Sequence, residues 1–322
     1  MKKNIQIIAT GGTIAGVGKN GKYESGVMDI NELISNINGI DHLANLKMIQ
    51  SINIDSSDIT CENWLSIAKE INEKSKDSKI DGFVITHGTD TLEETAYFLN
   101  LTLKTNKPVI ITGSMRPSTA LSADGSFNLY QAVALAKDDV SIGKGVLIVF
   151  ADTIYGARDV QKINSFKVEA FNHRDLGCFG YMMDDVPYFY NCSTKPHTPD
   201  TEFDVCDFDD LPKVSIAYFY ADADVDILKY FAKTSKGIII AGTGNGNCSK
   251  IWHDEIKSIL NKNVPVVRTS RTANGLVTSE EPISEYGITA NTLSAQKARI
   301  LLSLSLTRTK DLKKIDELFK KY

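Results

Sequence analysis

The chain has 322 residues, of which 42% are apolar and 24% charged, and a formal net charge of −4. That balance suits a globular protein of one large or two ordinary domains. It argues against nucleic acid, because no basic stripe neutralises phosphates, and no run approaches the roughly 18 apolar residues of a membrane span.

The first element is Ile5–Gly16, IQIIATGGTIAG. Its near-continuous apolar start reads as a buried parallel strand, and Gly11 and Gly12 then allow a sharp turn and close backbone approach before Thr13. A strand with a plain glycine turn explains the same letters, with Thr13 only capping. Residues 17–28 are polar and glycine-rich and read as a mobile surface loop carrying Tyr23. Gly16, Gly18 and Gly21 spell a dinucleotide motif that neither follows a strand directly nor opens a helix. Asp29–Glu32 reads as a capping box before a short helix.

Leu46–Ile54 alternates as a strand and ends in Asp55-Ser56-Ser57-Asp58; Thr60 then caps a helix to about Ser75. Ile80–Thr86 is a buried strand running into His87-Gly88-Thr89-Asp90-Thr91, where Thr91 with Glu94 reads as a second capping box. Pro108–Thr112 and Gly145–Ala151 are further strands, separated by a long loop and a helix that Asp124 caps. Ile154–Val168 looks irregular, with a hairpin as one reading, and carries Lys162, which from pattern alone is a solvated lysine. The polar, proline-marked stretch 191–212 is the expected linker. Beyond it come strands at Val214–Tyr220, Gly237–Ala241 and Val264–Arg268, the loop 242–247, and helices including Leu293–Leu304 and Lys310–Lys320. Strands alternating with helices imply two unequal α/β domains with mainly parallel sheets: 1–190 and 213–322.

Five widely spaced cysteines without C-x-x-C, and five scattered histidines without H-E-x-x-H, suggest neither a disulfide framework nor a metal site. Ile5–Ala9 is too short for the apolar region of a signal peptide, so the expected location is cytoplasmic, or periplasmic if a leader was removed.

Two threonines, each behind glycine and just beyond a buried strand, call for a chemical explanation. A hydroxyl becomes a useful nucleophile when a base takes its proton, and Lys162 with Asp90 offers a base and its orienting carboxylate. Acyl transfer is one chemistry this set supports. An amino-acid binding protein, or a nicotinamide-dependent enzyme resting on the glycine motif, are the alternatives.

TGGTIAG at 10–16, HGTDT at 87–91, ITGSMRPSTALSADGSFN at 111–128, ARDVQKINSF at 157–166 and GITANTLSAQKARILLSLSLT at 287–307 together resemble the bacterial L-asparaginase family. The resemblance implies hydrolysis of the L-asparagine side-chain amide without a cofactor, with L-glutamine as a minor substrate. It also implies a flavodoxin-like larger domain and a homotetramer of intimate dimers. By position, Thr13 matches the family's nucleophile and Tyr23 the tyrosine that helps activate it. Thr89, Asp90 and Lys162 match the second catalytic group. Ser56 and Ser57 fall where the family holds the substrate's α-carboxylate, beside Gly12 and Gly88, and Asp90 also meets the α-amino group. Asn247 and Glu280 match residues supplied by a neighbouring subunit. The chain departs from the pattern in a shorter loop between Thr13 and Tyr23, and in serine at 57, where glutamine is common.

Overall fold

The apolar run that follows Asn4 becomes the buried centre of a sheet. The structure is a computed structural model that describes residues 2–19, 22–24, 34–35, 37–278 and 282–322. The chain divides into two compact units, Met1–Asp207 and Phe208–Tyr322.

Strands of the first unit are β1 (Asn4–Gly11), β2 (Val17–Lys19), β3 (Lys22–Glu24), β4 (Asn45–Ile54), β5 (Gly82–Thr86), β6 (Val109–Thr112), β7 (Val146–Phe150), β8 (Thr153–Gly156), β9 (Val160–Lys162), β10 (Phe171–His173), β11 (Gly180–Met183) and β12 (Val186–Phe189). Its helices are α1 (Ile40–Leu43), α2 (Cys61–Lys74), α3 (Leu92–Thr102) and α4 (Gly125–Lys137). Eight strands form one sheet in the order β12-β11-β8-β7-β6-β5-β1-β4. From β4 to β7 all neighbours are parallel. Numbered among themselves, these five run 2-1-3-4-5, the flavodoxin-like order. Ile5, Ile7 and Ala9 of β1 pack into one cluster with Leu129, Val133 and Ala136 of α4, while Ile8 on the opposite face is also fully buried. A strand with both faces covered needs the unbroken apolar run that the sequence shows.

The sheet then reverses direction. β7 returns as β8 through Ala151 and Asp152, whose φ values of 46° and 64° are positive at both central positions, as a type I′ turn requires. Two side chains of α4 hold this turn. Asn128 Oδ1 accepts from Ala151 N at 3.2 Å, and Gln131 Nε2 donates to Asp152 Oδ1 at 2.6 Å. β11 and β12 continue the sheet antiparallel, an extension that the alternation of strands and helices did not suggest.

Several local expectations are corrected. Part of the 17–28 loop is a hairpin in which Gly18 pairs with Tyr23; Gly21 and the Asp29–Glu32 capping box lie outside the described residues. Thr60 does cap its helix as expected, in a capping box with Asn63 as its partner. Thr91 and Asp124 stand at helix starts but make no side-chain cap bond. Thr91 reaches another loop instead, and the Asp124 carboxylate accepts from Met115 N and Arg116 N, both at 2.9 Å. The irregular stretch after Ile154 resolves into β8 and β9, the latter paired with β10. Within the stretch read as a linker, residues to Asp207 group with the first unit, where Phe203 and Val205 are fully buried.

The second unit has four parallel strands in sequence order: β13 (Val214–Tyr218), β14 (Gly237–Gly242), β15 (Val266–Ser270) and β16 (Ile288–Thr289). Helices α5 (Asp226–Thr234), α6 (Lys250–Leu260), α7 (Ile283–Tyr286), α8 (Ala295–Arg308) and α9 (Leu312–Lys321) accompany them. Ile238 and Ile240 pack with Leu228, Trp252, Ile256 and Ile259 in its core. The molecule is thus two unequal α/β domains with mainly parallel sheets. Among the described residues no helix is long and apolar enough to cross a membrane.

Candidate active site

In a 2-1-3-4-5 sheet the connections leaving the first and third strands go to opposite faces, so a crevice opens between their carboxyl ends. Here those ends belong to β1 and β5, and they deliver Gly12-Thr13 and Gly88-Thr89-Asp90. Thr10 ties the two strands at their ends, its Oγ1 donating to the Thr86 carbonyl at 2.8 Å. Beyond them the backbones touch. A β-carbon on Gly12, whose φ is +81°, would stand 2.4 Å from the Gly88 nitrogen, and one on Gly88 would stand 2.7 Å from Ser56 Oγ. Glycine at both positions lets three loops close on one another, bringing half-buried Thr13 and buried Thr89 into neighbouring turns.

Lys162 joins this site from β9. Its Nζ donates to Thr89 Oγ1 at 2.9 Å and to Asp90 Oδ1 at 2.5 Å. The lysine side chain is 16% exposed and the Asp90 side chain 61%, so the group is dry at Thr89 and open to solvent at the carboxylate. The Lys162 main chain is held separately, with its N–H donating to buried Glu93 Oε2 at 2.6 Å. Upstream, the buried Asp159 carboxylate accepts from the backbone N–H groups of Arg174, Asp175 and Leu176 at 3.1, 3.2 and 2.9 Å. It fixes the chain just before β9. The sequence assigns no role to Glu93 or Asp159, because the backbone groups they hold lie 69 and 15–17 residues away.

His87, between β5 and Gly88, is fully buried. Thr95 Oγ1 accepts from Trp64 Nε1 at 2.8 Å and lies 2.8 Å from His87 Nε2. The Gly88 carbonyl, 2.7 Å from Nδ1, can only accept, so Nδ1 carries the ring proton of the neutral imidazole and Nε2 accepts from the Thr95 hydroxyl. Burial pushes the imidazole pKa down to about 4, with the Gly88 bond opposing it, so the ring is neutral at pH 7.

Ser56 is buried and Ser57 exposed on the short 3₁₀ turn Ser56–Asp58, which Asp55 caps by accepting from Ser57 N at 2.9 Å. The backbone of Tyr23 lies in β3, and its side chain is outside what the structure describes. Asn247, exposed in the second unit, closes a tight loop through paired backbone bonds with Thr243 at 2.7 and 2.8 Å. Glu280 lies outside the described residues. Among the described residues no group of three or more His, Cys, Asp or Glu is placed to hold a metal ion.

Fold and site together define an α/β protein whose sheet crevice carries two threonines, one of them bonded to a lysine–aspartate pair. The chain matches the family described as "Asparaginase, N-terminal" over residues 4–194 and "Glutaminase/Asparaginase C-terminal domain" over residues 213–319. It belongs to the asparaginase family. It is 45% identical over 325 residues to L-asparaginase 2 of Bacillus subtilis (strain 168), covering 99% of this chain and 86% of that protein. It is 42% identical over 332 residues to the glutaminase-asparaginase of Acinetobacter glutaminasificans, covering both chains completely. The crystal structure of a probable cytoplasmic L-asparaginase from Campylobacter jejuni superposes with a TM-score of 0.94 at 45% identity, covering 100% of each chain.

Proposed function

We propose that this protein is an L-asparagine amidohydrolase, converting L-asparagine and water to L-aspartate and ammonia. The observation that carries the reading is the Lys162 ammonium bridging Thr89 and Asp90 in the crevice beside Gly12-Thr13. In the proposed reaction Thr13 Oγ attacks the side-chain amide carbon, the C–N bond breaks, and ammonia leaves with the hydroxyl's proton. Water next attacks the Thr13 ester. Thr89 and Lys162 orient that water, and Asp90 orients the lysine. The ester C–O bond then breaks and Thr13 regains its proton. Tyr23 assists Thr13, Ser56 and Ser57 hold the α-carboxylate, and Asp90 meets the α-ammonium, as the family match suggests.

The names of the relatives support both amides as substrates; L-asparagine as the main one and L-glutamine as a minor one is our proposal. A pocket discriminates one methylene by only about 1–3 kcal/mol. We further propose a homotetramer of intimate dimers in which Asn247 and Glu280 enter a neighbour's site, and a cytoplasmic location, which the likeness to the Campylobacter jejuni protein supports. The test is ammonia release from L-asparagine and, in parallel, L-glutamine, with Thr13→Ala and Thr89→Ala as controls. Turnover of L-asparagine that both variants lose is expected. Absence of turnover by folded wild-type protein overturns the reading and favours a protein that only binds the amino acid.

A further inference from the structure

An amino acid is a zwitterion, and a site for it must meet a carboxylate and an ammonium a fixed distance apart. In the proposed site the two ends fall to different loops: the Ser56–Ser57 turn after β4 and the Gly88–Asp90 loop after β5. One side chain spans them. Thr91 occupies the cap position of α3, yet its Oγ1 donates to the Ser56 carbonyl, 35 residues away, at 2.7 Å. The only other hydrogen bond described at that carbonyl is a longer one of 3.3 Å from Ile59 N. The bond crosses where the loops already pack, since a β-carbon on Gly88 would also stand 2.8 Å from Ser56 Cβ. Thr91 is thus the polar tie and Gly88 the steric stop of a single junction.

We infer that Thr91 is a positioning residue for substrate binding, holding the Ser56–Ser57 turn at the spacing from Asp90 that one amino acid spans. The inference rests on the proposed asparaginase function. Thr91 gives up a helix cap for this bond, a choice that helix stability alone does not explain. The amino-acid head group is bound alike before and during amide cleavage. A relaxed turn therefore weakens ground state and transition state together, which raises KM and leaves kcat in place.

The experiment measures kcat and KM for L-asparagine in Thr91→Val, Thr91→Ala and Thr91→Ser, with melting temperatures alongside. One neutral hydrogen bond predicts a KM about three- to tenfold higher in Val and Ala, kcat within about twofold, and a return to wild-type KM in Ser. Either Val or Ala serves if the other fails to fold. An unchanged KM, a fall in kcat at constant KM, or failure of Ser to restore KM overturns the assignment. Wild-type protein without asparaginase activity is a different result and overturns the functional reading itself.

Discussion

His87 makes the stability of the first unit depend on acid in a way that can be calculated. In the unfolded chain its imidazole takes a proton near pH 6.5, and in the fold only near pH 4. Above pH 6.5 the ring is neutral in both states and contributes no slope. Between those values the unfolded chain binds the extra proton, so stability falls as pH falls; below about pH 4 the loss is complete. At about 1.4 kcal/mol per pH unit the whole window amounts to about 3 kcal/mol, of which about 2 kcal/mol is lost between pH 6.5 and pH 5. His87→Gln keeps a polar side chain that cannot titrate. The assay is urea unfolding at fixed protein concentration, because association adds to apparent stability. Trp64 is the only tryptophan of the first unit, so its fluorescence in a Trp252→Phe background follows that unit alone. Wild type should lose about 2 kcal/mol more than the glutamine variant over that pH interval. Parallel pH profiles for the two would refute the assignment of a buried, neutral imidazole.

Two further perturbations separate chemistry from scaffold. Lys162→Met removes the ammonium from Thr89 and Asp90 but keeps the main-chain bond to Glu93, so kcat for ammonia release should fall by at least about 10²-fold with little change in melting temperature. Gly12→Ala should lower the melting temperature by several degrees and abolish turnover, since φ is +81° and the new methyl meets Gly88. Gly39→Ala is its control: φ is also +81° but nothing lies within 4 Å, so only the modest left-handed strain remains and turnover should persist.

The parts legible in the sequence were those whose cause is local. Buried strands such as Ile5–Ala9 and the stripe Trp64, Leu65, Ala68 and Ile71 announce themselves because burial imposes a run or a period. The type I′ turn at Ala151-Asp152 did not, because it lacks asparagine–glycine chemistry and is held by Asn128 and Gln131 on a distant helix. The β11–β12 hairpin did leave a signal. Its Asp184-Asp185 pair is flanked by alternating residues, but exposed Tyr181 and Tyr188 blur the apolar pattern. Thr91 shows the same limit at the site. Its spacing to Glu94 is that of a capping box, and the competing acceptor, the Ser56 carbonyl, becomes a neighbour only once β4 and β5 flank β1.

The position of β1 also bears on how the protein is made. It is synthesised before either of its partners, yet it is an interior strand, paired on one edge with Asn45–Gln50 and on the other with Gly82–Thr86. Until residue 86 has been synthesised and released, one edge of an apolar five-residue segment lacks its partner. Such a segment is a template for mispairing with another chain during that interval. When β5 closes onto β1 the nascent protein therefore covers that open edge and brings Thr13 and Thr89 into neighbouring turns in the same step.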